Sequence, residues 1–263
     1  FTRYDNYLTR DQILRIMIDI PSFNGRLGDP EIYANTKEDL LPEWFPKHKY
    51  SLENDLWSGR QIFSMVLPPV NFEKKNKRYG KDKPDIHNKV VIENGKIIDG
   101  IFDKNILGAS HQGLIHNIYN DFGKERTRQF LDDIQNIITN FILISGFSVG
   151  IGDLIPDKQT REDMKDIVIE KKKEVIDLIE HTHKGILEKK GGKNISEEFE
   201  NQILAILNTV TSKTGQLALT SMDKNNRMLN MINSGSKGSD INMGQMIACV
   251  GQQSVDGKRI PLG

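Results

Sequence analysis

KVVIENGKIIDGIFD, residues 89–103, sets two β-branched runs on either side of Asn94-Gly95. That dipeptide tolerates positive φ at both central positions of a type I′ turn, whose twist matches that of two antiparallel strands. A β-hairpin is therefore expected here. Downstream, KERTRQFLDDIQNIITNFILISG places Phe130, Ile134, Ile137, Phe141 and Ile144 at steps of three or four. One stripe of a long helix should face a core, and Gly146 is its expected stop. Strand signals on one side and a long amphipathic helix on the other make the first part of the chain a mixture of elements.

Upstream of the hairpin, DQILRIMIDI (11–20) has helical apolar spacing and ends before Pro21. Ser22 to Asp55 is rich in Pro, Gly, Glu and Lys and reads as loop with short turns. LWSGRQIFSMVLPP (56–69) offers a brief helix closed by Pro68-Pro69. NFEKKNKRYGKDKP (71–84) reads as a basic, solvated loop. Beyond Pro156 the pattern is almost purely helical. Met164, Ile167, Ile179 and Ile186 mark one stripe, and Phe199, Ile203, Ile206 and Val210 mark a second. Between them lie the Gly191-Gly192 turn and SEEFE (196–200), which resembles a capping box. Two such helices joined by a short turn form an αα-hairpin. The expected fold class is α+β, with a domain boundary near GIGDLIPD (150–157).

Composition removes several classes of function. Lys+Arg and Asp+Glu are equal at 36 each, so no global basic field gathers nucleic acid. The single cysteine, Cys249, excludes an internal disulfide framework, and its place in the apolar run MIACV points to packing rather than nucleophilic chemistry. The longest apolar run, FILISGF (141–147), is too short to span a bilayer, and no leader opens the chain. A soluble, intracellular segment cut from a longer polypeptide is the expectation. None of the six histidines pairs with cysteine or acid at metal spacing, and no Asp-x-Asp cluster offers converging carboxylates for magnesium. No catalytic residue and no metal site are expected.

NSGSKGSDINMGQ (233–245) surrounds Lys237 with glycines. A phosphate loop needs two glycines four residues apart and then Lys-Ser/Thr, and the order here is wrong. The first reading is a turn into a helix beginning at Ile241, capped by Ser239 or Asp240. The second places an anion beside Lys237, outside the positive end of that helix. GFSVGIGD (146–153) carries three glycines, read as a tight crossing after a helix end. Gln245, Gln252 and Gln253 crowd MIACV, and their amides need partners if buried, which favours an interface over a plain core.

These residues also carry a resemblance. GSKGSDINMGQMIACVGQQSVDGKRIPLG (235–263) resembles the conserved end of the funnel domain in the largest subunit of RNA polymerase II. LWSGRQIFSMVLP (56–68), IIDGIFDKNILGASHQGLIHNIY (97–119) and GFSVGIGDLIPD (146–157) resemble the pore domain of that subunit, in the same order. The resemblance implies a mixed α/β pore domain over 1–155 and a helical funnel domain over 156–263. It implies a segment of a DNA-directed RNA polymerase, a nucleotidyltransferase, lining the secondary channel that admits NTP and receives backtracked RNA. The implied partners are the other polymerase subunits, notably the second-largest, together with NTP, the RNA 3′ end, the DNA template through the whole complex, and a transcript-cleavage factor. Lys237 matches a lysine that contacts the incoming triphosphate. Ile241, Gln245, Gln252, Gln253 and Ser254 match the amatoxin pocket, which faces the bridge helix and trigger loop.

The departures carry information too. The Asn-Ala-Asp-Phe-Asp-Gly-Asp motif that binds catalytic Mg2+ is absent, so the implied magnesium belongs outside these residues and the segment should be inactive alone. Gly244 replaces a common alanine, and Thr211 stands where an arginine of the toxin pocket is expected, which argues against strong amatoxin sensitivity. Ser22–Asp55 is longer and more acidic than usual, and 71–84 is atypical. With an Asn/Ile/Lys-rich composition this points to a large DNA virus or an AT-rich protist. The implied location is the nucleus if cellular, and a virus factory, cytoplasm or virion if viral. The competing readings are a stand-alone helical interaction module and a phosphate-loop NTPase, the latter disfavoured by motif order.

Overall fold

The computed structural model describes residues 1–41, 45–46, 49–76, 89–186, 194–223 and 225–260. It divides into two compact units, Phe1–Phe147 with Asn233–Ser236, and Ser148–Ile232 with Lys237–Gly263. The elements of the first are β1 (Tyr7–Thr9), α1 (Arg10–Met17), β2 (Leu56–Ser58), α2 (Gly59–Ser64), β3 (Phe72–Lys75), β4 (Lys89–Glu93), β5 (Lys96–Asp99), α3 (Lys104–Leu107) and α4 (Leu114–Ser145). In the second are α5 (Lys158–His183), α6 (Ile195–Ser221), α8 (Asp240–Ile247), β6 (Ser254–Val255) and β7 (Lys258–Arg259), with α7 (Arg227–Ser234) preceding α8. Small antiparallel sheets beside long helices make the class α+β.

The hairpin forms as its turn chemistry requires. Asn94 and Gly95 adopt φ of 47° and 76°, and β4 pairs antiparallel with β5. Its other neighbour is β3, which corrects the reading of 71–84 as loop. Phe72 is buried while Lys75 is exposed, so four residues of alternating character were enough to complete a sheet once β4 offered an edge. The rest of that basic stretch, 77–84, lies outside the described residues.

One apolar core holds the first unit, joining Ile13, Ile16 and Met17 of α1, Ile62 and Phe63 of α2, Val90 and Ile92 of β4, and Phe130 and Ile137 of α4. A smaller cluster of Tyr7, Ile32, Phe45 and Leu56 gathers the long 22–55 connection against β1 and β2. The N-terminal segment is tied to the hairpin by polar contacts. The Tyr4 hydroxyl donates to Asp99 and accepts from the Gly100 amide at 2.7 Å, and the Arg60 guanidinium lies 3.8 Å from the Tyr4 ring centroid. Burial, then the Asp99 hydrogen bond, pushes the Tyr4 phenol above its ordinary pKa.

α4 begins earlier than its apolar stripe suggested, at Leu114, and is broken at Gly123, whose φ of 77° no helix interior adopts. Phe130 and Ile137 are fully buried and Ile134 and Phe141 pack on the same core, whereas Ile144 is 38% exposed. Gly146, at φ 63°, ends the helix with its amide on the Ile142 carbonyl. A Cβ at Gly146, Gly150 or Gly152 would meet nothing within 4 Å, so the expected tight crossing at 146–153 is not what these glycines provide.

In the second unit α5 and α6 pack as the expected helical hairpin. α5 stops at His183, two residues before Gly185 at φ 70°, which leaves Ile186 61% exposed rather than on the packed stripe. The Gly191-Gly192 turn lies outside the described residues. α6 starts after Asn194, so SEEFE forms its first turn instead of its cap. Glu197 and Glu198 then oppose the positive helix end.

Two glycines of the first unit separate backbone strain from crowding. A Cβ at Gly95 would lie 2.6 Å from the Pro68 carbonyl oxygen, whereas one at Gly25, also at positive φ, meets nothing within 4 Å. Gly25→Ala is expected to cost about 1 kcal/mol of strain and Gly95→Ala about 2–3 kcal/mol. Thermal melting followed by circular dichroism checks the order. Equal losses would mean that the Pro68 contact yields freely.

Candidate functional site

α8 is built at its N-terminus by side chain and glycine together. The Ser239 hydroxyl accepts from the Asn242 amide at 3.2 Å, and Gly235 and Gly238 take φ of 75° and 78° in the turn before it. Of the two capping candidates, Ser239 does the work. Asp240 sits in the first turn, where a carboxylate opposes the helix dipole. Lys237 is exposed in this turn.

α8 then crosses α6 without intervening side chains. A Cβ at Gly244 would stand 2.8 Å from the Gly215 Cα, and one at Gly215 would stand 3.2 Å from the Gly244 Cα. Beside this crossing opens a cavity of about 520 Å³. α6 supplies Asn208, Thr211, Ser212, Gly215, Gln216 and Leu219, and α8 supplies Asp240, Ile241 and Gln245. The following loop closes it with Val250, Gln252 and Gln253. Gly251 is pressed against Thr211 so closely that any Cβ there would fall inside the threonine side chain.

Ile241, Gln245, Gln252 and Gln253 therefore converge on one cavity, while Ser254, exposed at the start of β6, and Lys237 are not among its lining residues. The glutamine amides do find partners. Gln245 and Gln253 donate to the Val250 carbonyl at 3.5 and 3.2 Å, and Gln252 donates to the Gln253 carbonyl at 2.8 Å. They brace the loop while their side chains remain at the cavity surface. Asn208, Ser212, Gly215, Gln216 and Leu219 were not singled out from sequence, although positions 208, 211, 212, 215, 216 and 219 follow helical spacing as a small and polar stripe. Such a stripe is a signal for an unfilled helix face.

The C-terminal hairpin β6–β7 turns at Asp256-Gly257, with φ of 51° and 76°, a second positive-φ dipeptide that could have been read from sequence. Arg259 fastens it to α6 by a two-pronged fork, Nε to Glu200 at 2.6 Å and Nη2 at 2.9 Å. That hydrogen-bonded guanidinium lowers the Glu200 pKa and the carboxylate raises that of Arg259. Cys249 is half-buried, its sulfur 3.8 Å from the Thr214 hydroxyl.

The cavity offers amides, hydroxyls, the Asp240 carboxylate and the apolar surface of Leu219, Ile241 and Val250, a lining suited to recognition. Among the described residues no three His, Cys, Asp or Glu side chains converge to hold a metal ion. The His111 and His116 rings approach to 5.9 Å, and two of the six histidines, His48 and His87, lie outside the described residues. No helix among the described residues is long and apolar enough to cross a membrane.

Two family patterns match the chain. The one described as RNA polymerase Rpb1, domain 3, matches residues 1–154, and RNA polymerase Rpb1, domain 4, matches residues 178–263.

The fork to Arg259 gives the hairpin a pH dependence of defined sign. Because the folded-state pKa of Glu200 is depressed, its contribution is present above the ordinary carboxylate pKa and is lost as pH falls through the lowered value. Protection of the 254–259 amides, taken relative to intrinsic exchange at each pH, is expected to fall as pH drops through the lowered Glu200 value. Glu200→Gln should exchange fast at neutral pH and flatten the profile. A variant with the parental profile would remove the fork from this role.

Proposed function

The chain belongs to the Rpb1 family of RNA polymerase largest subunits, spanning its domains 3 and 4, the pore and funnel regions, and from that premise we propose that it forms one wall of the secondary channel. As part of such a subunit it serves a DNA-directed nucleotidyltransferase complex, and the other polymerase subunits are its partners. In this reading residues 1–155 form the pore domain and 156–263 the funnel domain. The segment makes no bond by itself.

The observation that carries the reading is the cavity between α6 and α8. Four of the five residues matched to the pocket facing the bridge helix and trigger loop line it together. The α6 side now carries Thr211 where an arginine is expected, so the cavity lacks a cation there. Lys237, in the exposed turn before α8, is the group assigned to the phosphates of an incoming NTP. An ammonium on a flexible stem acts there as a point charge, and a lysine needs no fixed fork to serve a passing triphosphate. Catalytic Mg2+ is assigned to another part of the subunit, because the Asn-Ala-Asp-Phe-Asp-Gly-Asp motif that would hold it is not among these residues.

The finer partners follow from the same assignment. NTP passes the wall inward, a backtracked RNA 3′ end passes it outward, and the second-largest subunit and template DNA lie beyond it. The α5–α6 hairpin, which leaves Ile169 and Ile176 exposed, is the face assigned to a transcript-cleavage factor. The corresponding location is the nucleus, or a virus factory or virion for a viral enzyme.

In the assembled polymerase, Lys237→Ala is expected to raise the apparent KM for NTP several-fold with little change in kcat, the pattern of a lost ground-state contact. Single-nucleotide addition rates against NTP concentration measure this. Unchanged KM would remove the lysine from the NTP path.

A further inference from the structure

From the α6–α8 crossing we infer that the Gly215–Gly244 contact sets the width of the cavity, and so decides how large a group it admits. The inference rests on the cavity assigned above. Gly244 is not itself a lining residue.

The argument is one of lever and fulcrum. The walls stand on two helices, with Thr211, Ser212, Gln216 and Leu219 on one and Asp240, Ile241 and Gln245 on the other. Between these flanking residues the helices touch backbone to backbone, because neither glycine has a side chain to hold them apart. An added Cβ at Gly244 would come within 2.8 Å of a Cα that has no rotamer to turn away. Interior packing is too dense to absorb such overlap locally, so the helices must separate or slide. Gly215→Ala asks for less, its Cβ meeting the Gly244 Cα at 3.2 Å. The two substitutions therefore form a graded pair, with Gly244→Ala the larger wedge. Each moves the Gln245 and Ile241 wall away from the Thr211 and Gln216 wall. Gly244 is thus a positioning residue that acts through the helix spacing.

Two thiol readouts test this in the assembled polymerase without any natural ligand. Cys249, the only cysteine of the chain, meets Thr214 of α6, so separation of the helices should expose it. Its alkylation by iodoacetamide, followed by peptide mass spectrometry, is expected to rise several-fold in Gly244→Ala and less in Gly215→Ala. A Ser212→Cys reporter on the wall is labelled in parallel with a methyl and a benzyl methanethiosulfonate. The benzyl-to-methyl rate ratio is expected to rise in the same order. Parental rates and ratio in Gly244→Ala would overturn the inference. So would faster Cys249 alkylation with an unchanged size ratio, because the helices would then part without widening the cavity. Failure of the Gly215→Ala subunit to assemble would also overturn it, since a shift of a few tenths of an ångström should be tolerated. The Lys237 kinetics are independent of these rates, so the spacing and the channel-wall assignment fail separately.

Discussion

The approach of α8 to α6 through Gly215 and Gly244 is the constraint from which the second unit takes its form. Without side chains at those two positions the helices meet on their backbones, and the residues to either side become walls rather than core. α6 is held from another direction by α5, and its first turns are tied to the C-terminal hairpin through Glu200 and Arg259. The helix is thus a spine with three attachments. The cavity is the space that those attachments leave unfilled, not a pit cut into a core. Gln245, Gln252 and Gln253 spend their amide donors on loop carbonyls, which keeps the outer wall in place without plugging the cavity.

The first unit obeys a different logic. Its two sheets are small, and its stability comes from a core to which α1, α2, β4 and α4 all contribute. Polar ties then set the position of the segments that the core does not grip. Tyr4 bridges Asp99 and Gly100 at the end of the hairpin under the Arg60 guanidinium, and the Asn140 amide reaches the Ile16 carbonyl from α4. A long connection such as 22–55 is affordable in this arrangement because Ile32 and Phe45 anchor it against Tyr7 and Leu56.

Several elements are legible in the sequence itself. Asn94-Gly95, Gly146 and Ser239 each act through φ or through a hydrogen bond to a backbone group a few residues away, so their neighbours in sequence suffice to read them. The helical stripes of α4, α5 and α6 were legible for the same reason. The misreadings occurred where a distant partner decides. Phe72–Lys75 became a strand because β4 presented a free edge, and Ile144 and Ile186 left their stripes because the core or the helix ended before reaching them. The glycines of 150–152 satisfy no demand within the described residues.

Of the site, the resemblance named Lys237, Ile241, Gln245, Gln252, Gln253 and Ser254, all on one short stretch. Of the opposite wall the resemblance named Thr211 alone, and Asn208, Ser212, Gly215, Gln216 and Leu219 came only with the fold. What the sequence determined alone was the set of turns, caps and helical faces, because these rest on interactions between near neighbours in the chain. What tertiary structure alone decided was the register of α8 on α6, and with it which side chains share a cavity. That register depends on the absence of a Cβ on two residues far apart in sequence, and a missing atom has consequences only when its counterpart is brought opposite.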